Sequence, residues 1–371
     1  VAARARARAG AGVWRRVVCA AASASASPSV QGRKGRIVFL GTPSVAAGVL
    51  GSLIEASKAD DACFEVVGVV AQPGRPRGRG RKRGPPEPSP VEALAIDKGI
   101  QQESIFTPVK ARDDDFLDAL RALAPDLCVT AAYGNFLPQR FLDIPALGTL
   151  NIHPSLLPLY RGAAPVQRSL EAGDPETGVS VAFTVLKMDA GPVLASERVA
   201  PGLEVKAPEL LEDLFARGTR LLLQELPGVM DGGAWERATA QDESAVVQAD
   251  KLTMEESNLD FSEPALALHN KVRAFAGWPG TRANFSLDGG ADAAAEEIQL
   301  KVVTTAVAAA AAEEAGEACQ LTPDGALRVR CGSGTALDVL ELQPPGKKVM
   351  PADAFWNGLR GRKLSPLPVE T

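Results

Sequence analysis

Histidine is scarce in this 371-residue chain, which contains only two, His153 and His269. Because imidazole exchanges a proton readily near neutral pH, both are candidates for chemistry. The five cysteines are scattered and include no C-x-x-C pair, a distribution that argues against a zinc site and against a disulfide framework. We therefore expect no metal, and the cysteine usage fits a reducing compartment.

Long apolar stretches are also missing. No segment approaches the roughly 20 apolar residues needed to cross a membrane, and the densest alanine run, 306–312, is followed at once by Glu313 and Glu314. Hydrophobic residues make up 46% of the chain and charged residues 23%, which predicts a soluble globular protein. The length favours two domains.

Acidic residues are missing from the N-terminal segment, since the first one is Glu55. Residues 1–35 are rich in Ala, Arg and Ser, which is the composition of a transit peptide directing a protein to an organelle. The alternative is a disordered tail without a targeting function. We predict a transit peptide at 1–35, with plastid (chloroplast) or mitochondrion as the destination and the cleavage site left open.

The overall charge does not favour nucleic acid, because the net charge is −5. Any RNA contact must come from a local basic patch. One lies in a Gly- and Pro-rich stretch, where a flexible cationic loop can follow phosphates; a solvated charge run is the alternative. Its basic residues are Arg75, Arg77, Arg79, Arg81, Lys82 and Arg83.

Alternating apolar runs and amphipathic stretches organise residues 36–225. Strands are predicted at 36–40, 64–71, 127–132, 150–152 and 177–185, and helices at 44–56, 91–98, 113–123 and 207–225, with a loop at 73–90. Strands that alternate with helices indicate a mostly parallel sheet covered on both faces. The predicted fold class is therefore α/β, with a Rossmann-like N-terminal domain at 36–225.

Residues 226–249 are polar and rich in turn residues, and are predicted to be a linker. From about residue 250 the pattern changes to short β-like runs at 300–304, 326–331 and 336–342, which indicates a small β-barrel or sandwich over 250–371. The Ala- and Glu-rich stretch 305–318 is predicted to be a loop insertion.

The turn after the first strand lacks a dinucleotide-binding pattern. Gly41 is followed by Thr42, Pro43 and Ser44, so the second and third glycines of the G-x-G-x-x-G pattern are missing. A tight strand-to-helix turn is the better interpretation, and bound NAD is not expected.

Asn151 and His153 stand at the end of a predicted strand, and a spacing of two residues puts both on the same side of an extended chain. In open α/β sheets the carboxyl edge is where ligands bind. An Asn amide can stabilise a developing oxyanion, and a His can move a proton, so the pair suits acyl transfer to an amine. Alone, the pair is weak evidence, and a structural histidine is the better interpretation.

Three longer motifs favour a catalytic over a structural histidine: N-I-H-P-S-L-L-P at 151–158, R-G-A-A-P-V-Q at 161–167 and M-D-A-G-P at 188–192. Together they resemble the folate-dependent formyltransferase family, and R-G-A-A-P-x-Q is similar in particular to the members that act on methionyl-tRNA. The distance along the chain from His153 to Asp189 agrees with that family's Asn-His-Asp site. Shorter matches at 38–43, 132–134, 278–280 and 342–348 extend the resemblance over residues 36–364.

The resemblance implies an enzyme that transfers the formyl group of 10-formyltetrahydrofolate to the amino group of methionyl initiator tRNA. Together with the predicted transit peptide, it gives an expected role in organelle translation initiation. It implies that Asn151 polarises the formyl carbonyl, that His153 handles the proton, and that Asp189 orients His153. It also implies an OB-like barrel as the C-terminal domain. The implied folate contacts are Ser155, Leu156, Leu157, Pro158, Tyr133 and Gly134.

The resemblance further implies that the basic loop contacts tRNA. The family's loop typically has the sequence Q-P-D-R-P-A-G-R-G, from which this chain departs at Gly74 and Arg77. In the C-terminal domain, surface charge is the alternative to phosphate contact for each basic candidate. Those candidates are Lys347, Lys348, Arg360, Arg362 and Lys363.

His269 lies on a predicted helix and is expected to be structural or partly exposed, and the chain is expected to be a monomer. Other activities remain open. A relative with a small-molecule acceptor, such as a glycinamide ribotide or an amino sugar, would have no evident need for the basic loop. A formyl-folate hydrolase would use water. A non-catalytic RNA-binding descendant would be expected to lose one of Asn151, His153 and Asp189, and all three are present.

Overall fold

The computed structural model of the chain describes residues 30, 32–76, 84–288, 295–309 and 317–369. Most of the predicted transit peptide lies outside the described residues. So do five residues of the basic loop, namely Arg77, Arg79, Arg81, Lys82 and Arg83.

The N-terminal part is built on one seven-stranded sheet in the order β10-β9-β7-β6-β1-β2-β5. From β5 to β7 neighbouring strands are parallel, whereas β9 and β10 each run antiparallel to the preceding neighbour, so the predicted mostly parallel sheet is confirmed. The strands up to residue 249 are β1 (Gly35–Gly41), β2 (Phe64–Val70), β3 (Arg75–Pro76), β4 (Pro86–Glu87), β5 (Ile105–Phe106), β6 (Leu127–Ala131), β7 (Thr149–His153), β8 (Arg161–Gly162), β9 (Thr177–Phe183), β10 (Val193–Val199) and β11 (Gln248–Ala249).

Successive residues of a strand point to opposite sides of the sheet, and both faces of this sheet are buried. Along β1, Ile37 and Phe39 belong to one hydrophobic cluster, and Val38 and Leu40 belong to another. The described α-helices of this part are Ser44–Ala56, Pro90–Asp97, Asp114–Ala122, Gln139–Leu142, Pro165–Ala172, Ala207–Met230 and Ala234–Arg237, with 3-10 turns at Gln102–Ser104 and Glu243–Ala245.

Several elements differ from the sequence predictions. The last long helix continues past Pro227 to Met230, because Val229 and Met230 are buried in the core. The sequence patterns did not reveal the helix Pro165–Ala172 or the strand β10, whose residues are only partly buried. Within the predicted loop 73–90, the short strands β3 and β4 pair with each other.

The predicted linker 226–249 is folded against the N-terminal sheet. Thr239 forms an antiparallel bridge with Val193, and β11 pairs with β8 in parallel. The turn-rich stretch 226–249 therefore pairs with the N-terminal part at Thr239 and at β11.

The C-terminal part is an antiparallel sheet in the order β14-β15-β16-β13-β12-β18, with β17 paired to β16. Since β14 also contacts β18, the sheet nearly closes, and the predicted barrel is confirmed. Its helices are Ala265–Ala274 and Ala352–Gly358, after a 3-10 turn at Glu255–Ser257. Its strands are β12 (Thr281–Leu287), β13 (Glu296–Val307), β14 (Cys319–Leu321), β15 (Leu327–Arg330), β16 (Ala336–Gln343), β17 (Met350–Pro351) and β18 (Leu364–Pro366).

The loop predicted at 305–318 is wrong for its first residues, because β13 continues to Val307 and pairs Thr305 with Val339 and Val307 with Leu337. β-branched residues suit a pleated strand, and Thr304, Thr305 and Val307 outweigh the single alanine, Ala306, that lies among them. None of the helices in the described parts of the chain combines the length and apolar character that crossing a membrane requires.

Candidate active site at the carboxyl edge of the sheet

Asn151 lies on the interior strand β7, where it pairs with Thr130 on β6 and with Ala182 on β9. Its Oδ1 atom accepts a hydrogen bond of 2.8 Å from the hydroxyl of Thr130. In this orientation the amide nitrogen forms no hydrogen bond among the described residues, and the Thr130 hydroxyl also lies 3.3 Å from the carbonyl oxygen of Leu150. Asn151 is half-buried. Its amide group can therefore donate to a carbonyl oxygen that becomes negatively charged.

His153 ends the same strand and is held from two sides. Its Nε2 atom lies 2.9 Å from the carbonyl oxygen of Tyr160, and its Nδ1 atom lies 3.8 Å from Oδ2 of Asp189. Because a carbonyl only accepts, Nε2 must carry the hydrogen. In the neutral ring Nδ1 is then an unprotonated nitrogen facing a carboxylate. The side chain is only 4% exposed.

Asp189 occupies a tight turn between β9 and β10. Its φ of 51° lies in the left-handed region, which is uncommon for a residue other than glycine. Its Oδ2 atom accepts a 2.9 Å hydrogen bond from the backbone N–H of Gly162. A Cβ atom at Gly191 would lie 1.7 Å from the carbonyl oxygen of Phe183, so glycine is required there. The sequence M-D-A-G-P is thus explained by the shape of this turn.

Arg161 and Gln241 pack beside this turn, and the sequence patterns did not reveal Gln241. The guanidinium of Arg161, which is 1% exposed overall, donates from Nε and Nη2 to Oε1 of Gln241 at 3.0 and 2.8 Å. Arg161 Nη2 also donates to Glu243 at 3.0 Å, and Lys187 donates to the other oxygen of Glu243. These hydrogen bonds from Arg161 and Lys187 lower the pKa of Glu243 to about 2.

The segment from Ser155 to Pro158 follows His153 and is tied to β9 through Ser180. The Ser180 hydroxyl donates to the carbonyl of Ser155 at 2.8 Å and accepts from the N–H of Leu157 at 3.1 Å. Ser155 is fully buried, and its own hydroxyl donates to the carbonyl of Leu159 at 2.6 Å. Leu156, Leu157 and Pro158 are partly exposed. Folate contact by these four residues stays a prediction.

Tyr133 and Gly134 form the turn after β6. The Tyr133 side chain is buried in the hydrophobic cluster with Leu40 and Phe141, and burial raises the pKa of its hydroxyl. The Tyr133 carbonyl accepts hydrogen bonds from Thr42 and Gln72, each at 3.0 Å. Gly134 has a φ of +78°. The predicted folate contact here would therefore involve backbone groups, and it remains a prediction.

The basic residues that the structure describes differ in their surroundings. Arg75 is exposed and donates to Gln72 at 3.4 Å. Lys347 and Lys348 are exposed beyond β16. Arg362 binds Glu296 and the carbonyl of Asp288, Lys363 binds Glu317, and Arg360 is exposed.

His269 is confirmed as structural. It is 3% exposed, with Nδ1 at 3.0 Å from the Thr305 hydroxyl and Nε2 at 3.0 Å from the carbonyl of Leu203. The first contact lies within the C-terminal part and the second reaches the N-terminal part. Across the described residues, no cluster of three or more His, Cys, Asp or Glu side chains is arranged to hold a metal ion.

Two family models match the chain in the order of its two folded parts. The model described as "Formyl transferase" matches residues 35–225, and the model described as "Formyl transferase, C-terminal domain" matches residues 251–360. The fold, the site and these matches define the class as the two-domain formyl transferases.

Curated relatives narrow this class. Methionyl-tRNA formyltransferase of Myxococcus xanthus is 39% identical over 334 residues, which cover 89% of this chain and 96% of that protein. The enzyme of the same name from Methylococcus capsulatus is also 39% identical over 334 residues, covering 89% of this chain and 99% of that protein. The chain therefore belongs to the methionyl-tRNA formyltransferase family.

Similarity to solved structures supports the fold alone. The crystal structure of WlaRD, described as a sugar 3N-formyl transferase in the presence of dTDP and 5-N-formyl-THF, superposes with a TM-score of 0.58 at 13% identity. The match covers 85% of this chain and 100% of that chain. A sugar-modifying enzyme thus shares this architecture, and the fold does not select the acceptor.

Proposed function

We propose that this chain transfers the formyl group of 10-formyltetrahydrofolate to the amino group of methionyl initiator tRNA. The observation that carries the proposal is the match to methionyl-tRNA formyltransferases over nearly their whole length, up to 99% of the relative. The match includes the barrel, so it extends beyond the catalytic part of the chain.

The geometry of Asn151, His153 and Asp189 fits this reaction. 10-Formyltetrahydrofolate supplies the formyl carbonyl when it is bound. The unpartnered amide nitrogen of Asn151 can donate to the carbonyl oxygen as an amine attacks the carbon. His153 can take the amine proton on Nδ1, and the carboxylate of Asp189 then faces a cationic ring. The same proton can return to the folate nitrogen as the bond between that nitrogen and the formyl carbon breaks, so that tetrahydrofolate leaves and His153 is neutral again. No step requires a metal ion.

The two parts of the chain have separate proposed roles. Residues 36–225 would perform catalysis, and 250–371 would bind tRNA together with the basic loop that contains Arg75, Arg77, Arg79, Arg81, Lys82 and Arg83. The segment Ser155–Pro158 and the turn Tyr133–Gly134 lie after neighbouring strands of the sheet, and both would contact the folate. A monomer suffices, because Asn151, His153 and Asp189 come from one chain.

The decisive assay compares acceptors. The full chain is incubated with 10-formyltetrahydrofolate and with methionyl initiator tRNA, methionyl elongator tRNA, an amino-sugar nucleotide or no acceptor. Formylation of the initiator alone supports the proposal. Transfer to the sugar, or acceptor-independent loss of the formyl group to water, would contradict it. His153→Ala is run beside the parent, so that contaminating activity is recognised.

An organelle is the proposed location. The composition of residues 1–35, which are rich in Arg, Ala and Ser and free of Asp and Glu, supports a transit peptide. Residues 1–35 fused to a fluorescent protein should enter plastids or mitochondria. A fusion that stays outside both organelles would remove the organelle part of the proposal and leave the chemistry untouched.

A further inference from the structure

We propose that Gln241 is a positioning residue that keeps Asp189 and His153 in the relative positions that formyl transfer requires. This inference rests on the proposed function. Gln241 lies in the predicted linker, outside both family matches, which end at residue 225 and begin again at residue 251. Among the described residues it forms no hydrogen bond to Asn151 or His153, so its proposed effect passes through the groups that it binds.

The amide nitrogen of Gln241 binds both ends of the Asp189 turn. Nε2 donates to the carbonyl of Asp189 at 2.8 Å and to the carbonyl of Gly191 at 2.6 Å. Both amide hydrogens are thereby used on one three-residue turn. The left-handed φ of 51° at Asp189 is a costly conformation that persists only when its surroundings fix it. Gln241 supplies two of the bonds that fix it.

The amide oxygen of Gln241 binds the opposite segment. Oε1 accepts two hydrogen bonds from the buried guanidinium of Arg161. Arg161 stands between the two backbone groups that hold the catalytic pair: the Tyr160 carbonyl beside His153 and the Gly162 N–H bound to Asp189. One side chain therefore joins the segment that holds His153 to the turn that carries Asp189.

Only an amide of this length satisfies all four bonds. Glutamate could accept from Arg161, but it has no hydrogen to donate to the two carbonyls. Alanine removes both the amide oxygen that accepts from Arg161 and the amide nitrogen that donates to the turn. The residue itself is well anchored, because Thr239 bridges Val193 and β11 pairs with β8 on either side of it.

The test compares Gln241→Ala and Gln241→Glu with the parent, using Asp242→Ala as the control. Asp242 is the exposed neighbour whose carboxylate caps a turn at Ser244. The expected result is a kcat lower by about 10-fold to 100-fold in both Gln241 variants, as for a misplacement of a reacting group. The KM values for tRNA and folate should stay close to the parent's, and Asp242→Ala should transfer at the parent's rate.

A double-mutant cycle separates positioning from general support. Gln241→Ala added to Asp189→Asn should cause little further loss of kcat, because both changes act on the same carboxylate. Fully multiplicative losses, or Gln241→Glu restoring the parent's kcat, would overturn the proposal. If Gln241→Ala does not fold by circular dichroism, Gln241→Glu alone decides by the same kcat criterion. A parent without transfer activity would instead refute the proposed function.

Discussion

His153 presents Nδ1 to Oδ2 of Asp189 across 3.8 Å, while the Tyr160 carbonyl at 2.9 Å holds its other ring nitrogen. The distance to Asp189 is too long for a hydrogen bond. The two contacts therefore differ in kind: the Tyr160 carbonyl fixes the tautomer, and the Asp189 carboxylate places a negative charge beside Nδ1. Under the proposed function, Nδ1 is the atom that accepts the proton of the attacking amine.

The two histidines provide a matched comparison. His153→Ala should lower kcat by at least about 100-fold, since general acid–base groups typically contribute that much or more. His269→Ala should leave kcat unchanged but reduce stability, because it leaves the buried Thr305 hydroxyl without its partner. Steady-state kinetics and thermal unfolding of both variants check this pair. Equal kcat losses in the two variants would argue that His153 acts only through folding.

Asn151 should behave as an oxyanion donor. Asn151→Ala should lower the single-turnover transfer rate by about 100-fold to 1000-fold, the usual cost of losing one such donor. Thr130→Val should cost less, because it removes only the bond that orients the amide at 2.8 Å. Rapid-quench measurement at saturating folate and tRNA gives both rates. A larger loss for Thr130→Val than for Asn151→Ala would contradict this role.

The sequence predicted the sheet core, and it predicted that Asn151 and His153 lie together at the end of one strand; their catalytic role, with Asp189, stays a prediction. Continuous apolar runs predicted β1 and β6, whose residues are buried on both faces of the sheet. Polar residues at the end of a buried strand lie at the edge of the sheet, as Asn151 and His153 do on β7. Because Asn151 and His153 are two residues apart on one strand, their side chains point to the same side of the sheet.

Other parts of the site carry no local signal. Gln241 acts through a hydrogen bond to Arg161, 80 residues earlier in the chain, and a single Gln in a turn-rich stretch looks like any polar linker residue. The ring of Tyr133 packs in the core, a side-chain direction that the sequence A-Y-G does not reveal, and folate contact at this residue stays a prediction. The edge strand β10 has no buried apolar pattern, because its residues are only partly buried or exposed.

Glu243 should contribute stability that depends on pH in one direction. Its pKa falls from 4.5 to about 2 in the folded chain because of Arg161 and Lys187. A lowered carboxyl pKa gives stability that is fully present above the unfolded value and is lost as pH falls through the folded value. The melting temperature of the parent should therefore exceed that of Glu243→Gln by a constant margin at pH 5–7. That margin should shrink as the pH falls from about 4.5 to about 2. A margin that grows on acidification would contradict the assignment.

Lys347 and Lys348 should strengthen tRNA binding without affecting chemistry. Both are exposed beyond β16, and no carboxylate among the described residues forms an ion pair with either of them. Replacing both with Ala should raise the Kd for methionyl initiator tRNA. It should also make the dependence of log binding constant on log salt concentration less steep, by roughly 0.7–0.9 for each lost phosphate contact. The kcat at saturating tRNA should not change.

Lys363→Ala is the control for that experiment, because Lys363 already pairs with Glu317 at 3.0 Å in its own domain. It should alter the salt slope less than the double variant does, since part of its charge is already neutralised locally. Filter binding at several salt concentrations measures all three proteins. If the double variant keeps the parent's Kd and slope, Lys347 and Lys348 do not contact phosphates, and the barrel must bind tRNA through other residues.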